Sequence, residues 1–106
     1  MRKTINIRLT KEELKAIKDI AKQIFGDDIR IWIFGSRVNP EFKGGDIDIY
    51  IEIRNYEKSN IFEKKVKYLV NLEDKIGEQK IDLIVAPYNC NEFYCLEAKR
   101  TGVRIL

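Results

Sequence analysis

Apolar residues recur at helical spacing in the first part of the chain. Thr10 and Glu13 stand three residues apart, which is the spacing of a capping box at the start of a helix. The apolar positions after this pair repeat every three or four residues: Leu14, Ile17, Ala21, Ile24 and Phe25. The pattern predicts a helix that begins at Thr10 and ends at Gly26.

Isoleucine-rich runs bounded by glycine or proline predict the strands. The first run ends at Gly35, the second follows the break at Gly44 and Gly45, and the third is closed by Pro87. These runs are Ile29–Phe34, Asp46–Ile53 and Lys80–Ala86, with weaker strand candidates at Thr4–Leu9 and in the tail GVRIL.

Helical spacing returns twice in the second half of the chain. One helix is predicted from near Asn60, with Glu63 at the capping distance, to Gly77, and a short one over Asn91–Arg100. The residues of the longer helix that we expect to face the core are Phe62, Val66, Leu69, Val70 and Ile76. Those of the short helix are Phe93, Cys95 and Leu96. The alternation of helices and strands predicts an α/β fold.

Length and composition are those of one domain spanning residues 1–106. A chain of 106 residues with 44% hydrophobic content can form a single core without metal or disulfide staples. The longest uncharged apolar runs are far shorter than the roughly 20 residues of a membrane-spanning helix. The N-terminal stretch MRKTINIRLT has no hydrophobic signal core. We therefore expect a cytoplasmic protein that does not associate with membranes.

Charge and cysteine usage exclude several kinds of site. The 20 basic residues are nearly balanced by 17 acidic ones, so charge gives no argument for direct nucleic-acid binding. Cys90 and Cys95 stand in a chain without histidine, and their spacing fits neither a zinc site nor a redox CxxC pair. We expect Cys95 to pack in the core.

The candidate chemistry lies in the stretch IFGSRVNPEFKGGDIDIYIEI. Side chains alternate between the two faces of a strand, so one face carries Asp46, Asp48, Tyr50 and Glu52. If Asp82 of the third strand faces the same way, three carboxylates converge, and cations are needed to hold them together. Two Mg²⁺ ions suit such oxygen ligands and catalyse in-line displacement at phosphorus. The alternative interpretation is an ordinary solvated strand face.

The turn after the first strand complements these carboxylates. Gly35 allows a phosphate to approach the backbone, the Ser36 hydroxyl and the following N–H groups are donors, and Arg37 adds positive charge. The sequence contains no Walker A loop and no GxGxxG motif. The alternative is a glycine-serine pair that only ends a strand, beside a surface arginine without a ligand.

These motifs together resemble a known superfamily. The segment FGSR, followed after a short loop by DID and later by the aspartate of KIDLIV, resembles the nucleotidyltransferase superfamily that includes DNA polymerase β. The short length and the ending KRTGVRIL are most similar to the minimal nucleotidyltransferase (MNT) proteins, many of which are antitoxins paired with HEPN-domain toxins. The resemblance implies a small mixed sheet with helices mainly on one side, as in the polymerase β palm.

The resemblance also implies roles for individual residues. Asp46 and Asp48 would be Mg²⁺ ligands, and Asp82 would bind the catalytic metal and help to deprotonate the nucleophile. Gly35 and Ser36 would bind phosphate, which makes them nucleotide-binding residues together with Arg37. In the antitoxin branch the implied reaction transfers AMP from ATP to a tyrosine of the HEPN toxin.

The loop and the aromatic residues leave further points open. The loop RVNPEFKGG has fewer arginines than many relatives carry there, and Lys43 is a candidate to replace them. Trp32 and Tyr50 are expected to be packing residues rather than base-stacking ones. The candidate partner surface consists of Tyr88, Phe93 and Tyr94.

Two other functions stay open. One is a noncatalytic antitoxin that neutralises its partner by covering it. The other keeps the transfer reaction but directs it to a small molecule, such as an aminoglycoside, or to an RNA end.

Overall fold

A computed structural model describes residues 7–38 and 45–106 of the chain. Within these residues there are three α-helices, and the strands form one four-stranded sheet. The helices are α1 (Lys11–Phe25), α2 (Lys58–Ile76) and α3 (Phe93–Thr101). The strands are β1 (Ile29–Phe34), β2 (Ile47–Ile53), β3 (Ile81–Pro87) and β4 (Val103–Arg104), and a short 3₁₀ helix (Gly35–Val38) follows β1.

The predicted capping box is present at the start of α1. The backbone N–H of Glu13 donates to Thr10 Oγ1 at 3.0 Å, and the N–H of Thr10 donates to Glu13 Oε1 at 2.9 Å. Gly26 follows the last turn with a φ of +99°, and its N–H donates to the carbonyl of Lys22. Both predicted limits of the helix are confirmed.

The sheet is mixed, with the described strands in the order β3-β2-β1-β4. β1 is antiparallel to both of its neighbours, whereas β2 and β3 are parallel. Parallel strands require a crossover connection, which α2 supplies between β2 and β3. The predicted α/β fold is confirmed, and so is the tail strand, which is β4.

Different helices cover the two faces of the sheet. The isoleucines of β1 and β2 pack with buried residues of α1 and α2 in the larger core. On the other face, Tyr50 packs with Ala86 of β3 and with Cys95 and Ala98 of α3, and Trp32 borders this smaller core. Two of the three described helices therefore lie on one face, as the resemblance implied. The packing roles expected for Trp32 and Tyr50 are confirmed.

The buried side of α2 differs from the prediction. Leu69 and Ile76 pack against the core as expected, but the fully buried residues are Tyr68 and Leu72. The Tyr68 hydroxyl donates to the carbonyl of Ile17 at 3.0 Å, so its polar atom is satisfied in the core. The residues wrongly predicted to face inward are Phe62, Val66 and Val70, all of which are exposed.

The start of α2 also differs from the prediction. The helix begins at Lys58, and its N-cap Glu57 makes no side-chain capping hydrogen bond. The Asn60 side chain instead donates to Glu57 Oε1 at 2.9 Å. The capping role predicted for Glu63 is therefore wrong.

Residues around α3 show one confirmed prediction, one error and one feature that was not predicted. Cys95 is fully buried, as expected, whereas Phe93 and Leu96 are exposed. Cys90 and Cys95 form a disulfide that closes the turn before α3. Within the candidate partner surface, Phe93 and Tyr94 are exposed, and their predicted contact with a partner stays untested.

Tyr88, the third residue of that candidate surface, is engaged within the chain. Its hydroxyl lies 2.8 Å from Asp28 Oδ1, and the guanidinium of Arg30 stacks 4.1 Å from the centre of its ring. At the N-terminus, the weak strand candidate falls partly outside the described residues, and its part from Ile7 to Leu9 is not a strand.

A fully buried carboxylate, Glu52, lies on the α3 face of the sheet. Lys99 Nζ stands 2.7 Å from Glu52 Oε2, the Tyr50 hydroxyl donates to the same oxygen at 2.8 Å, and Arg30 Nη1 lies 3.4 Å from Oε1. Burial raises the pKa of this carboxyl, but its hydrogen bonds with Lys99 and Tyr50 outweigh burial, so the pKa lies below the ordinary 4.5. The solvated strand face considered above is therefore wrong for Glu52.

Replacing Lys99 by methionine is expected to lower the free energy of unfolding by about 3 kcal/mol at neutral pH. The variant leaves a buried carboxylate with one of its cationic partners removed. Because the pKa of Glu52 is lowered in the folded state, the pair stabilises the fold above the unfolded pKa and loses this effect as pH falls through the folded pKa. The difference from wild type, measured by urea unfolding, should therefore shrink as the pH is lowered below 4.5.

Lys15→Met is the matched control for this prediction. Lys15 pairs with Asp19 at 2.7 Å, but 77% of the Lys15 side chain is exposed, so no measurable change in stability is expected. Equal effects of Lys15→Met and Lys99→Met would contradict the role given to Glu52.

Candidate active site

The side chains of Asp48 and Asp82 meet at one end of the sheet. The two residues are register partners on the parallel strands β2 and β3, so their side chains project from the same face. The Asp82 carboxyl is close enough to Asp48 for a hydrogen bond between them to favour the protonated form of Asp48. Burial, Asp82 and the charge of Asp46 together raise the pKa of Asp48 from 3.8 to about 6. Metal-free Asp48 therefore holds a proton in a pH range where an ordinary aspartate is ionised.

Asp46 lies at the margin of this pair. It directly precedes β2, which begins at Ile47 instead of at the predicted Asp46. Lys80 Nζ lies 3.9 Å from Asp46 Oδ2. Within residues 7–38 and 45–106, no group of three or more Asp, Glu, His or Cys side chains is placed to hold a metal ion. The structure thus brings Asp48 and Asp82 together, with Asp46 close enough to act on Asp48 through its charge.

Asp82 differs from its predicted environment. The sequence placed this residue in the apolar run of a buried strand, but β3 is an edge strand of the described sheet, and Asp82 is exposed. Its neighbours along the strand, Ile81 and Leu83, are partly buried against the larger core. An exposed carboxylate on an edge strand is accessible to a second substrate arriving from solvent.

Gly35 lies directly against Asp48. It has a φ of +77°, and a Cβ atom built on it would lie 2.0 Å from Asp48 Oδ2 and 2.9 Å from Asp48 Cγ. Both values are far below ordinary contact distances, so any side chain at position 35 would displace the carboxyl. Gly35 was expected to let a phosphate approach the backbone, and its second role, to leave room for Asp48, was not predicted.

The remaining residues of the predicted phosphate turn lie in the 3₁₀ helix after β1. Ser36 is part of this helix, but its side chain lies outside what the structure describes, as does Lys43. Arg37 Nη1 donates to the carbonyl of Arg8 at 2.7 Å, and Arg37 Nη2 donates to the carbonyl of Gly45 at 3.3 Å. Arg37 therefore ties the turn to the chain just before β2, a structural role that the sequence did not indicate.

The acidic pair has the chemistry of a Mg²⁺ site. Mg²⁺ in nucleotide-dependent enzymes is commonly bound by one or two carboxylates, with phosphate and water oxygens completing the shell. Asp48 and Asp82 supply two such carboxylates, and burial together with the neighbouring Asp82 raises the pKa of Asp48 in the absence of a cation. The residues present therefore fit a divalent cation that is bound together with a nucleotide.

Comparison with known families agrees with this arrangement. A family model described as "Nucleotidyltransferase domain" matches residues 14–104. The match extends from α1 to β4 and includes the candidate acidic residues and the turn after β1. The chain belongs to this nucleotidyltransferase family, within the polymerase β-like superfamily, and its function is nucleotidyl transfer. Nucleotidyltransferase domains generally use nucleoside triphosphates and divalent metals.

The family is assigned from the family model alone. No curated protein matches the chain. Among the described residues, no helix is long and apolar enough to cross a membrane. The expected cytoplasmic location stays a prediction.

Proposed function

We propose that this protein is a Mg²⁺-dependent MNT-type antitoxin that transfers AMP from ATP to a tyrosine of a HEPN-domain partner. The observation that carries the proposal is the adjacent pair of Asp48 and Asp82 beside a turn whose Gly35 leaves room for it. The polymerase β-like family of the chain supports transfer chemistry at this pair.

The proposed reaction forms one bond to phosphorus and breaks another. The oxygen of the acceptor tyrosine attacks the α-phosphorus of ATP, and the bond to the leaving pyrophosphate breaks. Asp48 and Asp82 would hold the cation, with the charge of Asp46 nearby, and the bound cation would neutralise charge on the phosphate oxygens. Asp82 takes the tyrosine proton, because it is exposed to the incoming acceptor. The backbone N–H groups of the 3₁₀ helix after β1 bind the phosphates.

The test is an intact-mass measurement on the partner. The protein is incubated with Mg²⁺ and each of the four nucleoside triphosphates, with and without the product of a HEPN-type gene neighbouring its own. A gain of one or more AMP masses on the partner, located to a tyrosine by peptide mapping, is expected. An unmodified partner under all four conditions would contradict the proposal.

A noncatalytic antitoxin is the second candidate. It is favoured by one observation, which is that no group of three carboxylates in the described part of the chain is placed to hold a metal. An Asp46→Ala/Asp48→Ala variant distinguishes the two functions. Loss of toxin neutralisation in this variant, with binding retained, supports catalysis, whereas full neutralisation supports binding alone.

A further inference from the structure

A row of apolar side chains lies exposed along the outer face of α2. Phe62 is 75% exposed, Val66 44% and Val70 59%, and they are spaced four residues apart. Residues four apart on a helix are neighbours, so the three side chains form one continuous stripe. A shallow groove follows it, lined also by Ser59, Glu63, Lys67 and Asn71. We call these seven residues the α2 groove.

The core of the protein does not need this exposed stripe. The opposite side of α2 already supplies Tyr68 and Leu72, both fully buried, to the core beneath the sheet. Contiguous exposed apolar side chains rimmed by charged ones are typical of interaction surfaces. The α2 groove therefore has the character of an interface.

The charges beside the stripe identify what fits against it. Glu63 and Lys67 are one turn apart and line the same groove, so its rim carries a negative and a positive group in fixed order along the helix. A two-fold axis that relates antiparallel helices reverses this order in the second copy. The rim of the α2 groove is therefore complementary in charge to itself.

We propose that the α2 groove is a homodimer interface in which two copies of α2 pack antiparallel about a two-fold axis near Val66. Phe62 of each copy then lies opposite Val70 of the other, so that a large side chain packs against a small one at both contacts. The two Val66 side chains meet at the axis. Glu63 faces Lys67 of the second copy, and the symmetry repeats this ion pair.

The interface leaves the candidate active site free. α2 covers the sheet face that carries the isoleucines of β2, whereas Asp48 projects from the opposite face, where α3 packs. The dimer would therefore present two open active sites, and this inference does not depend on the identity of the nucleotide or the acceptor.

The small size of the groove sets the expected strength of the dimer. Three exposed apolar side chains and a polar rim lie at the low end of the range for specific interfaces, about 1,200 Å² of total buried area. Such an interface gives a dissociation constant on the order of 10 µM. The dimer should therefore be concentration-dependent.

Sedimentation velocity from about 1 to about 100 µM tests the proposal directly. Wild type should shift from monomer to dimer over this range. Val66→Lys, which brings two like charges together at the axis, should stay monomeric throughout. Glu63→Lys and Lys67→Glu should each weaken the dimer at least about tenfold, because each creates two like-charge contacts. The double variant Glu63→Lys/Lys67→Glu should restore wild-type dimerisation.

Glu78→Lys is the control, since it makes the same change of charge at an exposed position beyond the end of α2 and should dimerise normally. All the substituted side chains are exposed, and circular dichroism checks that each variant is folded. Wild-type protein that stays monomeric up to about 100 µM overturns the proposal, even if the groove binds a different protein. A dimer that Val66→Lys leaves intact, or that the double variant does not restore, also overturns it.

Discussion

Asp48→Asn is expected to slow nucleotidyl transfer by about a thousandfold, which corresponds to about 4 kcal/mol of transition-state stabilisation. Asparagine keeps the size of the side chain and can still donate a hydrogen bond to Asp82. It removes the negative charge with which Asp48 would hold a cation against the phosphates. The measurement is the single-turnover rate of labelled nucleotide transfer to the acceptor, for wild type and variant.

The same substitution should leave the metal-free fold as stable as wild type, or more stable. The pKa of Asp48 is raised in the folded state, so its stabilising contribution is present at low pH and is lost as pH rises through about 6. At neutral pH the ionised carboxyl opposes folding, and asparagine removes this opposition. The thermal midpoint of Asp48→Asn in a chelator should therefore equal or exceed that of wild type.

Asp27→Asn is the control for both measurements. Asp27 is an exposed aspartate just before β1, and its replacement should change neither transfer nor stability. An Asp48→Asn variant that unfolds would show that the residue is structural. A folded variant that transfers nucleotide at the wild-type rate would remove Asp48 from the active site.

Gly35→Ala is expected to slow transfer by about a hundredfold, because displacing a catalytic group by about 1 Å has effects of that size. The added Cβ would lie 2.0 Å from Asp48 Oδ2, so the carboxyl must move away from Asp82 or the turn must shift. The positive φ of residue 35 adds backbone strain, which is expected to lower the unfolding free energy by about 1 kcal/mol. Transfer rates and urea unfolding measure the two effects separately.

Gly26→Ala separates the backbone strain from the contact with Asp48. Gly26 also has a positive φ, of +99°, but nothing lies within 4 Å of a Cβ built there. It should therefore lose a similar amount of stability and keep full transfer activity. If the two alanine variants transfer nucleotide equally well, the contact between Gly35 and Asp48 has no part in catalysis.

Local rules were sufficient to predict the elements that depend on neighbours in sequence. Thr10 and Glu13 form their capping box within a single turn, and the alternation of side chains in β2 depends only on strand geometry. The pairing of Asp48 with Asp82 was predicted conditionally, because alternation gives the face but not the register between strands. The parallel crossover through α2 sets that register.

Predictions that depended on distant partners failed. Apolar residues occupy two sides of α2, and helical spacing alone cannot tell which side is buried. The Tyr68 hydroxyl is satisfied in the core by a hydrogen bond to the carbonyl of Ile17, and these two residues are far apart in sequence. The burial of Glu52 was not predicted because its partners, Lys99 of α3 and Arg30 of β1, are likewise remote. The disulfide of Cys90 with Cys95 depends on the conformation of the turn between them.

Within the candidate site, the sequence predicted which residues take part better than it predicted the environment of each residue. Asp82 attracted notice as a carboxylate in an apolar run, yet it lies exposed on an edge strand. Arg37 was expected to bind phosphate, which stays a prediction, and its hydrogen bonds to the backbone of Arg8 and Gly45 were not foreseen. The exposure of Asp82 could not be predicted because hydrophobic patterning describes the strand itself and not what lies beside it.

Asp48 and Asp82 are expected to bind a divalent cation together with a nucleotide. The most direct test is a Mn²⁺ titration followed by electron paramagnetic resonance, with a non-hydrolysable ATP analogue, on wild type and Asp48→Asn. No acceptor is needed. Adding wild type to the analogue is expected to lower the free Mn²⁺ signal further than the analogue alone does. Asp48→Asn is expected to lose this additional binding. Equal Mn²⁺ binding by wild type and Asp48→Asn would contradict it.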